Sequence, residues 1–171
     1  MSTEIYLEIE DAEGNLLTEA ASSKESIGAY YKEAHADAIS VFALEHRVML
    51  PTDNRVGAIT SNRRHEGLTI TKMIDKSSPL LFNLMGKPTE LTCSFEFYRS
   101  SDITNEGEPE LFYTIELEEA KIIALRTVSP NRMLPENDHL VAYEEVTFTY
   151  GSITWEHPVG STNALDKWAG E

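Results

Sequence analysis

The sequence predicts a mainly β protein, either an antiparallel sandwich or a closed barrel, with one short helix. About seven stretches alternate apolar and polar residues, the pattern of half-buried strands. Only one segment has clear helix start and stop signals, and the sequence lacks the alternating strand and helix segments of a parallel sheet. The 171 residues suit a single domain that can bury a substantial core.

The first predicted strand lies near the N-terminus. Ile5, Leu7 and Ile9 alternate with polar or amphipathic neighbours, which predicts one buried and one wet face. Residues 11–15 then read as a turn with Gly14 near its tip. Residues 18–37 are ambiguous, because their composition favours a helix while residues 26–31 also resemble a short strand.

A long strand is predicted over residues 39–50, and large side chains occupy both of its faces. One face carries Phe42, Leu44, His46, Val48 and Leu50. Pro51 ends the strand, because proline cannot donate to a β-ladder. Residues 52–65 form a long polar loop, with a small hairpin possible at Gly57; loops of this length usually have a function.

One more strand, over residues 68–73, precedes the single punctuated helix. Ser78 stands where an N-cap is expected, Pro79 at the first helical position, and Gly86 and Pro88 after the end. The apolar side predicted to dock on the sheet is formed by Leu80, Leu81 and Leu84.

The remaining chain reads mainly as strand. Alternation predicts strands over residues 91–98 and 113–118, separated by an acidic loop at 101–110. A second loop covers residues 129–138. In the last predicted run the apolar phase changes after Gly151, which suggests a bulge. The final residues read as a tail with Trp168 as its anchor.

The charge balance excludes several classes of partner. With 29 acidic and 14 basic residues the net charge is −15, which repels phosphate backbones and anionic lipid heads. We therefore expect neither nucleic acid binding nor membrane insertion. The acidic N-terminal residues do not match a cleaved signal peptide. A single cysteine, Cys93, is expected to pack in the core of a chain folded under reducing conditions.

Candidate catalytic and metal-ligating residues are poorly arranged for chemistry. The five histidines lack the short spacings of a metal site, and His46 is better explained as a hydrogen-bonded core residue. Glu116, Glu118 and Glu119 are typical of a solvated strand face rather than a catalytic dyad. Ser77 and Ser78 lack a nucleophile elbow. We expect no enzyme, no metal and no cofactor.

The strand predicted over residues 39–50 carries apolar side chains on both faces, so both faces should be buried. Either a second copy of the chain or the predicted helix could pack against the second face. Three function classes follow: a structural protein that assembles with itself, a stand-alone barrel that binds a small ligand, and a cupin-like or carboxylate enzyme. A ligand binder requires a closed interior pocket, and an enzyme requires clustered histidines or paired acids in a cleft.

Several motifs resemble one family. VMLPTD at residues 48–53, NRRH at 62–65 and IDKSSPLL at 74–81 are similar to the haemolysin co-regulated protein (Hcp) family of bacterial type VI secretion. The similarity continues in the aromatic runs at residues 95–99, 112–117 and 153–157 and in the closing residues 166–168. It covers nearly the whole chain, and residues 74–81 are its most specific segment.

The resemblance implies a fold and a role. Members of the family fold as a small antiparallel β-barrel of two sheets with one short flanking α-helix and an extended loop. They close into hexameric rings that stack into a tube inside a contractile sheath, capped by a spike and built on a baseplate. Effectors travel in the lumen. The resemblance implies assembly in the bacterial cytoplasm and secretion without a cleaved signal peptide.

The same resemblance gives the loop at residues 52–65 a role in contacts between rings or subunits. The residues expected to make these contacts are Thr52, Asp53, Arg55, Arg63, Arg64 and His65. We hypothesise that the three arginines meet carboxylates of a neighbouring subunit, because rings of one sign repel. A solvated arginine pair is the alternative. The predicted organisation is one barrel domain over residues 1–160 and a C-terminal tail over 161–171.

Overall fold

A computed structural model describes residues 3–100 and 108–169 and shows a mainly β fold, as predicted. Within the described residues there are ten strands. They are β1 (Glu4–Asp11), β2 (Ile39–Glu45), β3 (Val48–Met49), β4 (Arg64–His65), β5 (Leu68–Met73), β6 (Leu91–Ser100), β7 (Pro109–Val128), β8 (Tyr143–Thr149), β9 (Ser152–His157) and β10 (Thr162–Lys167).

Eight of these strands form one antiparallel sheet that closes on itself. Its order is β10–β9–β7–β6–β1–β2–β5–β8, and β8 also pairs with β7. The circuit β7–β6–β1–β2–β5–β8 therefore returns to its starting strand, which is a barrel with β9 and β10 as an extension. Strands β3 and β4 make a separate two-stranded sheet at the root of the extended loop.

The predicted alternation places the core inside this circuit. In the register, Leu7 faces Phe95, and Ile9 faces Cys93, which in turn faces Leu117. All five side chains are fully buried, because strand period two sends every second residue inward. Cys93 is a buried free thiol, so its predicted packing role is confirmed, and burial raises its pKa.

The long strand predicted over residues 39–50 is interrupted. Strand β2 ends at Glu45, and the chain resumes pairing only at Val48 and Met49, against β4. A register shift between Val41 and Ala43 turns Phe42 outward, so Phe42 does not share the inward face with Leu44. The sequence pattern could not reveal the break or the register shift. Strands β2 and β3 are both extended, and the spacing of their apolar residues continues across the break between them.

Strand β7 is much longer than the predicted 113–118 segment. Its first half pairs with β9 and its second half with β8, and Glu119 between them has φ of +51°. The inward phase changes between Tyr150 and Ile153, as predicted, at the point where β8 gives way to β9. Gly151 donates its amide to the carbonyl of Glu118 at 2.9 Å there.

The helical segments are short. The ambiguous region 18–37 contains α1 (Lys24–Ile27) and two 3₁₀ turns, at Gly28–Tyr30 and Glu33–His35; a third 3₁₀ turn is Pro135–Asn137. The punctuated helix is α2 (Ser78–Leu84). Within the described residues, none of the helices has the length and apolar character needed to span a membrane.

Two details of α2 differ from prediction. Ser78 is the first helical residue rather than the cap, because its hydroxyl accepts from the amide of Asp75 and from Lys72 instead of from the helix. Leu81 is fully buried and Leu84 partly so, but Leu80 is exposed, since a seven-residue helix presents few positions to the sheet.

The C-terminal residues also join the sheet. Strand β10 pairs with β9 from Thr162 to Lys167, and the amide of Trp168 donates to the carbonyl of Gly151 at 2.9 Å. The indole of Trp168 packs edge-on against Tyr150. The boundary at residue 160 stays a prediction. The predicted acidic loop at 101–110 lies largely outside the described residues.

Candidate assembly surface

The extended loop, residues 52–65, is a hairpin that projects from the barrel. Thr52 bridges to Ile59, the amide of Asp53 donates to the carbonyl of Ala58, and the amide of Gly57 donates to Asp53, both at 2.8 Å. Gly57 has φ of +68°, a conformation that glycine adopts without strain. The predicted hairpin at Gly57 is confirmed, and backbone hydrogen bonds join its two arms.

Every residue from 52 to 64 is exposed in the single chain. The apolar members are unusual in such a position: Val56 is 76% exposed and Ile59 64%. Arg55 lies next to Val56, and its amide donates to the Asp53 carboxylate at 2.7 Å, which fixes the turn. The tip therefore presents apolar side chains beside a cation, a combination suited to contact with another protein.

The root of the loop is held by a polar cluster that we name the histidine latch: His46, His65, Tyr150 and Asp166. The Tyr150 hydroxyl lies 2.6 Å from His46 Nε2 and 2.8 Å from His65 Nδ1. His65 Nε2 lies 2.9 Å from Asp166 Oδ2. The latch thus joins the loop to the junction of β8 and β9 and to β10.

Burial shapes the electrostatics of the latch. Burial first, and the nearby His65 second, lower the pKa of His46 from its ordinary value of 6.5. Burial, with the negative charge of Asp166, raises the pKa of the Tyr150 hydroxyl, so Tyr150 stays protonated. At neutral pH the His46 ring is therefore neutral.

The structure divides the six predicted contact residues between two places. Thr52, Asp53 and Arg55 lie in the projecting hairpin, whereas Arg63 and Arg64 are exposed at its root. The sixth residue, His65, is buried, and its side chain is part of the latch. Their roles between subunits stay a prediction.

The two arginines at the root differ in their partners. Arg63 pairs with Asp166 of its own chain at 3.1 Å. In the described part of the chain, the side chains of Arg55 and Arg64 have no carboxylate within ion-pair distance. Both side chains are therefore available to pair with a carboxylate of a second subunit.

Sequence reasoning missed the latch as a unit. His46 was correctly expected to be a hydrogen-bonded histidine on an apolar face, but its partner is 104 residues away. Tyr150 and Asp166 read as an ordinary strand residue and a tail residue. The available signal was the two histidines flanking the loop, at positions 46 and 65, each beside a short strand.

A second exposed apolar area surrounds α2. Phe82 is 67% exposed, and with Pro79, Ile74 and Leu125 it borders a shallow groove of about 590 Å³. Below this groove, Lys72 is fully buried between Asp75 and Glu144, each 3.1 Å from its ammonium group.

The outer face of the wall made by β1, β6, β7 and β9 is acidic. Across this wall Glu8 pairs in register with Ser94, Ser94 with Glu116, and Glu116 with Thr154. Burial first, and then the carboxylates of neighbouring residues, raise the pKa of Glu8; these neighbours are Glu96, Glu10 and Asp37. Among the described residues no group of three His, Cys, Asp or Glu side chains is placed to hold a metal ion.

Comparison with known proteins agrees with this architecture. The family model described as "Type VI secretion system effector, Hcp" matches residues 6–157. The chain is 36% identical over 169 residues to the "Major exported protein" of Pseudomonas aeruginosa, covering 98% of this chain and 96% of that one.

Solved structures give the same result. A "Crystal structure of Hcp protein" superposes with a TM-score of 0.89 at 30% identity, covering 98% of each chain. "Secreted protein Hcp3 from Pseudomonas aeruginosa" superposes at 0.79 with 32% identity, covering 98% of this chain and 99% of that one.

The closed antiparallel barrel with its projecting, exposed hairpin places the chain in the structural class of these secreted barrel proteins. The chain belongs to the Hcp family of type VI secretion proteins. The predicted family and mainly β fold class are thereby confirmed.

Proposed function

We propose that this chain is the tube subunit of a type VI secretion system, with the extended loop joining one ring to the next. Six copies close into a ring through a head-to-tail interface, and the rings stack into a hollow tube. The observation that carries the proposal is the projecting hairpin of residues 52–64, wholly exposed yet ordered.

The energetics of the hairpin support a docked state. Burying apolar surface stabilises a contact by roughly 25 cal/mol per Å², so covering Val56 and Ile59 is worth on the order of 1–3 kcal/mol each. An ordered loop also loses little further conformational entropy when it binds. A solvated loop would gain nothing from either property.

The outer side of the barrel offers surface for closing the ring. Phe42 is 53% exposed at the register shift in β2, and Leu165 is 62% exposed on β10. A head-to-tail interface that closes pairs two different patches of the same chain, so separate apolar patches meet its requirement.

Charge reversal tests the loop. We expect Arg55→Glu with Arg64→Glu to leave single rings intact and to suppress ring stacking, because two carboxylates would replace the cations and face a neighbour that is itself strongly negative. Stacking is measured by negative-stain electron microscopy and sedimentation of purified rings. Arg63 is left unchanged, since its pairing with Asp166 is internal.

Arg132→Glu with Lys87→Glu is the matched control. Both residues are exposed and carry the same charge change outside the loop. Equal loss of stacking in the two double variants would assign the effect to net charge and contradict a specific role for the loop.

The wider assembly belongs to the same proposal. Its partners are the contractile sheath, the spike, the baseplate and effectors carried in the lumen; assembly takes place in the cytoplasm and secretion proceeds without a cleaved signal peptide. The role is structural and requires no catalytic residue. Light scattering with electron microscopy decides between this and a stand-alone ligand-binding barrel, which would be a stable monomer at micromolar concentration without rings.

A further inference from the structure

We propose that the histidine latch is a proton-sensitive lock that fixes the root of the extended loop at neutral pH and releases it in mild acid. This inference deepens the proposed function, because it assigns a regulation to the surface that stacks the rings. It rests on the hydrogen-bond geometry of His46, His65, Tyr150 and Asp166.

At neutral pH one arrangement of protons satisfies the whole chain. His65 donates from Nε2 to Asp166, which leaves its Nδ1 as an acceptor for the Tyr150 hydroxyl. The Tyr150 oxygen then accepts from His46 Nε2. Each contact in this arrangement has one donor and one acceptor.

The hydrogen bonds of the latch can accommodate one added proton when it is placed on His65. A protonated His65 donates from both nitrogens, to Asp166 and to the Tyr150 oxygen. Tyr150 then donates its own proton to His46, which changes tautomer while remaining neutral. Asp166 is already placed to face this positive charge, since it also pairs with Arg63.

The second proton breaks the chain. A protonated His46 has only donors, so both rings point a proton at the Tyr150 oxygen, and the hydroxyl proton has neither ring nitrogen left as an acceptor. Two like charges then lie with ring centroids 6.5 Å apart. The unpaired hydroxyl proton and the repulsion between the two rings therefore both weaken the contacts that Tyr150 makes with the histidines.

The surroundings of His46 do not neutralise that second charge directly. The cavity beside it is lined by the charged side chains of Glu45, Arg47 and Glu66, two acids and one base, and is open to solvent. Within the latch, the single carboxylate, Asp166, is already shared between His65 and Arg63.

The sign of the effect follows from the His46 pKa. Its value in the folded chain is lower than the ordinary 6.5, so the unfolded or released form binds the proton more readily. The closed latch is fully favoured above 6.5 and loses stability as the pH falls below that value. Release is therefore expected on the acid side of pH 6.5.

Two tryptophans and the loop amides give direct readouts. Both tryptophans of the chain contact the latch: Trp155 lies 6.0 Å from His46 and Trp168 lies 5.9 Å from His65 between ring centroids. We expect tryptophan fluorescence of purified rings to titrate below pH 6.5. Amide hydrogen exchange over residues 52–65, corrected for intrinsic rates, should be several-fold faster at pH 5.5 than at 7.5, because the depressed pKa of His46 favours the released form in acid.

His46→Gln is the diagnostic variant. The glutamine amide can still donate to Tyr150 but cannot titrate, so the loop should keep its neutral-pH protection at pH 5.5. Tyr150→Phe is the opposite variant, because it removes the shared hydroxyl and should leave the loop unprotected at both pH values. His139→Gln, on an exposed histidine elsewhere, is the control and should behave like the parent.

Two results would overturn the proposal: equal protection of the parent loop at pH 5.5 and 7.5, or a His46→Gln variant as pH-sensitive as the parent. Failure of the stacking function is separable. Among the described residues, neither the Arg55 nor the Arg64 side chain is hydrogen-bonded or ion-paired to a latch residue, so normal stacking of their double variant would reject the loop's role and leave the titration of the latch to be tested on its own.

Discussion

Lys72 shows how a single buried charge can connect three elements of the fold. It follows Leu68 and Ile70 on the inward face of β5, and the structure buries it completely. Its ammonium group also donates to the carbonyl of Met73 at 2.8 Å and to the Ser78 hydroxyl at 3.0 Å. These contacts tie β5 to the first turn of α2 and to β8.

Replacing this lysine should be costly. We expect Lys72→Met to lower the free energy of unfolding by about 3–5 kcal/mol, because Asp75 and Glu144 would remain as buried carboxylates without their cation. Urea denaturation measures the change. Lys121→Met, which removes an exposed lysine 4.0 Å from Glu90, should cost less than about 1 kcal/mol; similar losses in both variants would contradict the buried-pair explanation.

The sequence could place Lys72 on the inward face but could not show its partners. Asp75 is only three residues further along the chain, whereas Glu144 comes from β8, 72 residues away. The same limit applies to the histidine latch. Local periodicity reports burial, while pairing of polar groups across strands depends on register, which a single sequence does not reveal.

Among the elements, β7 determines how the barrel closes. It hydrogen-bonds to β6 along one edge and to β9 and then β8 along the other. The change of partner takes place at Glu119, whose positive φ bends the strand, opposite Gly151. A Cβ on Gly151 would lie 2.9 Å from the Glu119 Cβ, so only glycine fits there.

A matched pair of variants tests this corner. We expect Gly151→Ala to destabilise the fold by about 1–3 kcal/mol through overpacking against Glu119. Adding Glu119→Gly should recover most of that loss, because it removes the clashing side chain and suits the positive φ. Thermal unfolding of both variants and of Glu119→Gly alone completes a double-mutant cycle. If the free-energy changes of the two single variants simply add in the double variant, the two side chains do not interact.

Elements with strong alternation were predictable, and their interruptions were not. The strand containing Leu91 to Phe97 and the one beginning at Glu4 match the prediction closely, because each has a clean inward face. The break after Glu45 and the outward turn of Phe42 depend on pairing with β5 and β4. The extended loop was predictable from Pro51 and its polar length, but not the anchoring of His65.

At the scale of the whole molecule, the net charge of −15 has two opposite consequences. It keeps free subunits and rings apart, and it makes local cations such as Arg55 and Arg64 important where the loop meets a neighbour. If general repulsion outweighs these local attractions, salt should favour assembly, because exposed charges more than about 10 Å apart are screened at 0.1 M salt.

We expect stacking of purified rings to increase as ionic strength rises from low to physiological values at neutral pH. Light scattering at fixed protein concentration follows the change. Sucrose at matched osmolality is the control for non-ionic effects on solubility. Stacking that does not change with salt would leave the acidity with a role in solubility alone.

The length of chain between the two halves of the latch also fixes an order of events in time. Asp166 is 101 residues further along the chain than His65, and it belongs to β10, the last described strand. During synthesis from the N-terminus, the loop is made long before the residues that anchor its root. A nascent subunit therefore carries a loop whose root is not fully anchored until β10 has been translated and paired with β9, which delays joining the tube until this extension of the barrel is in place.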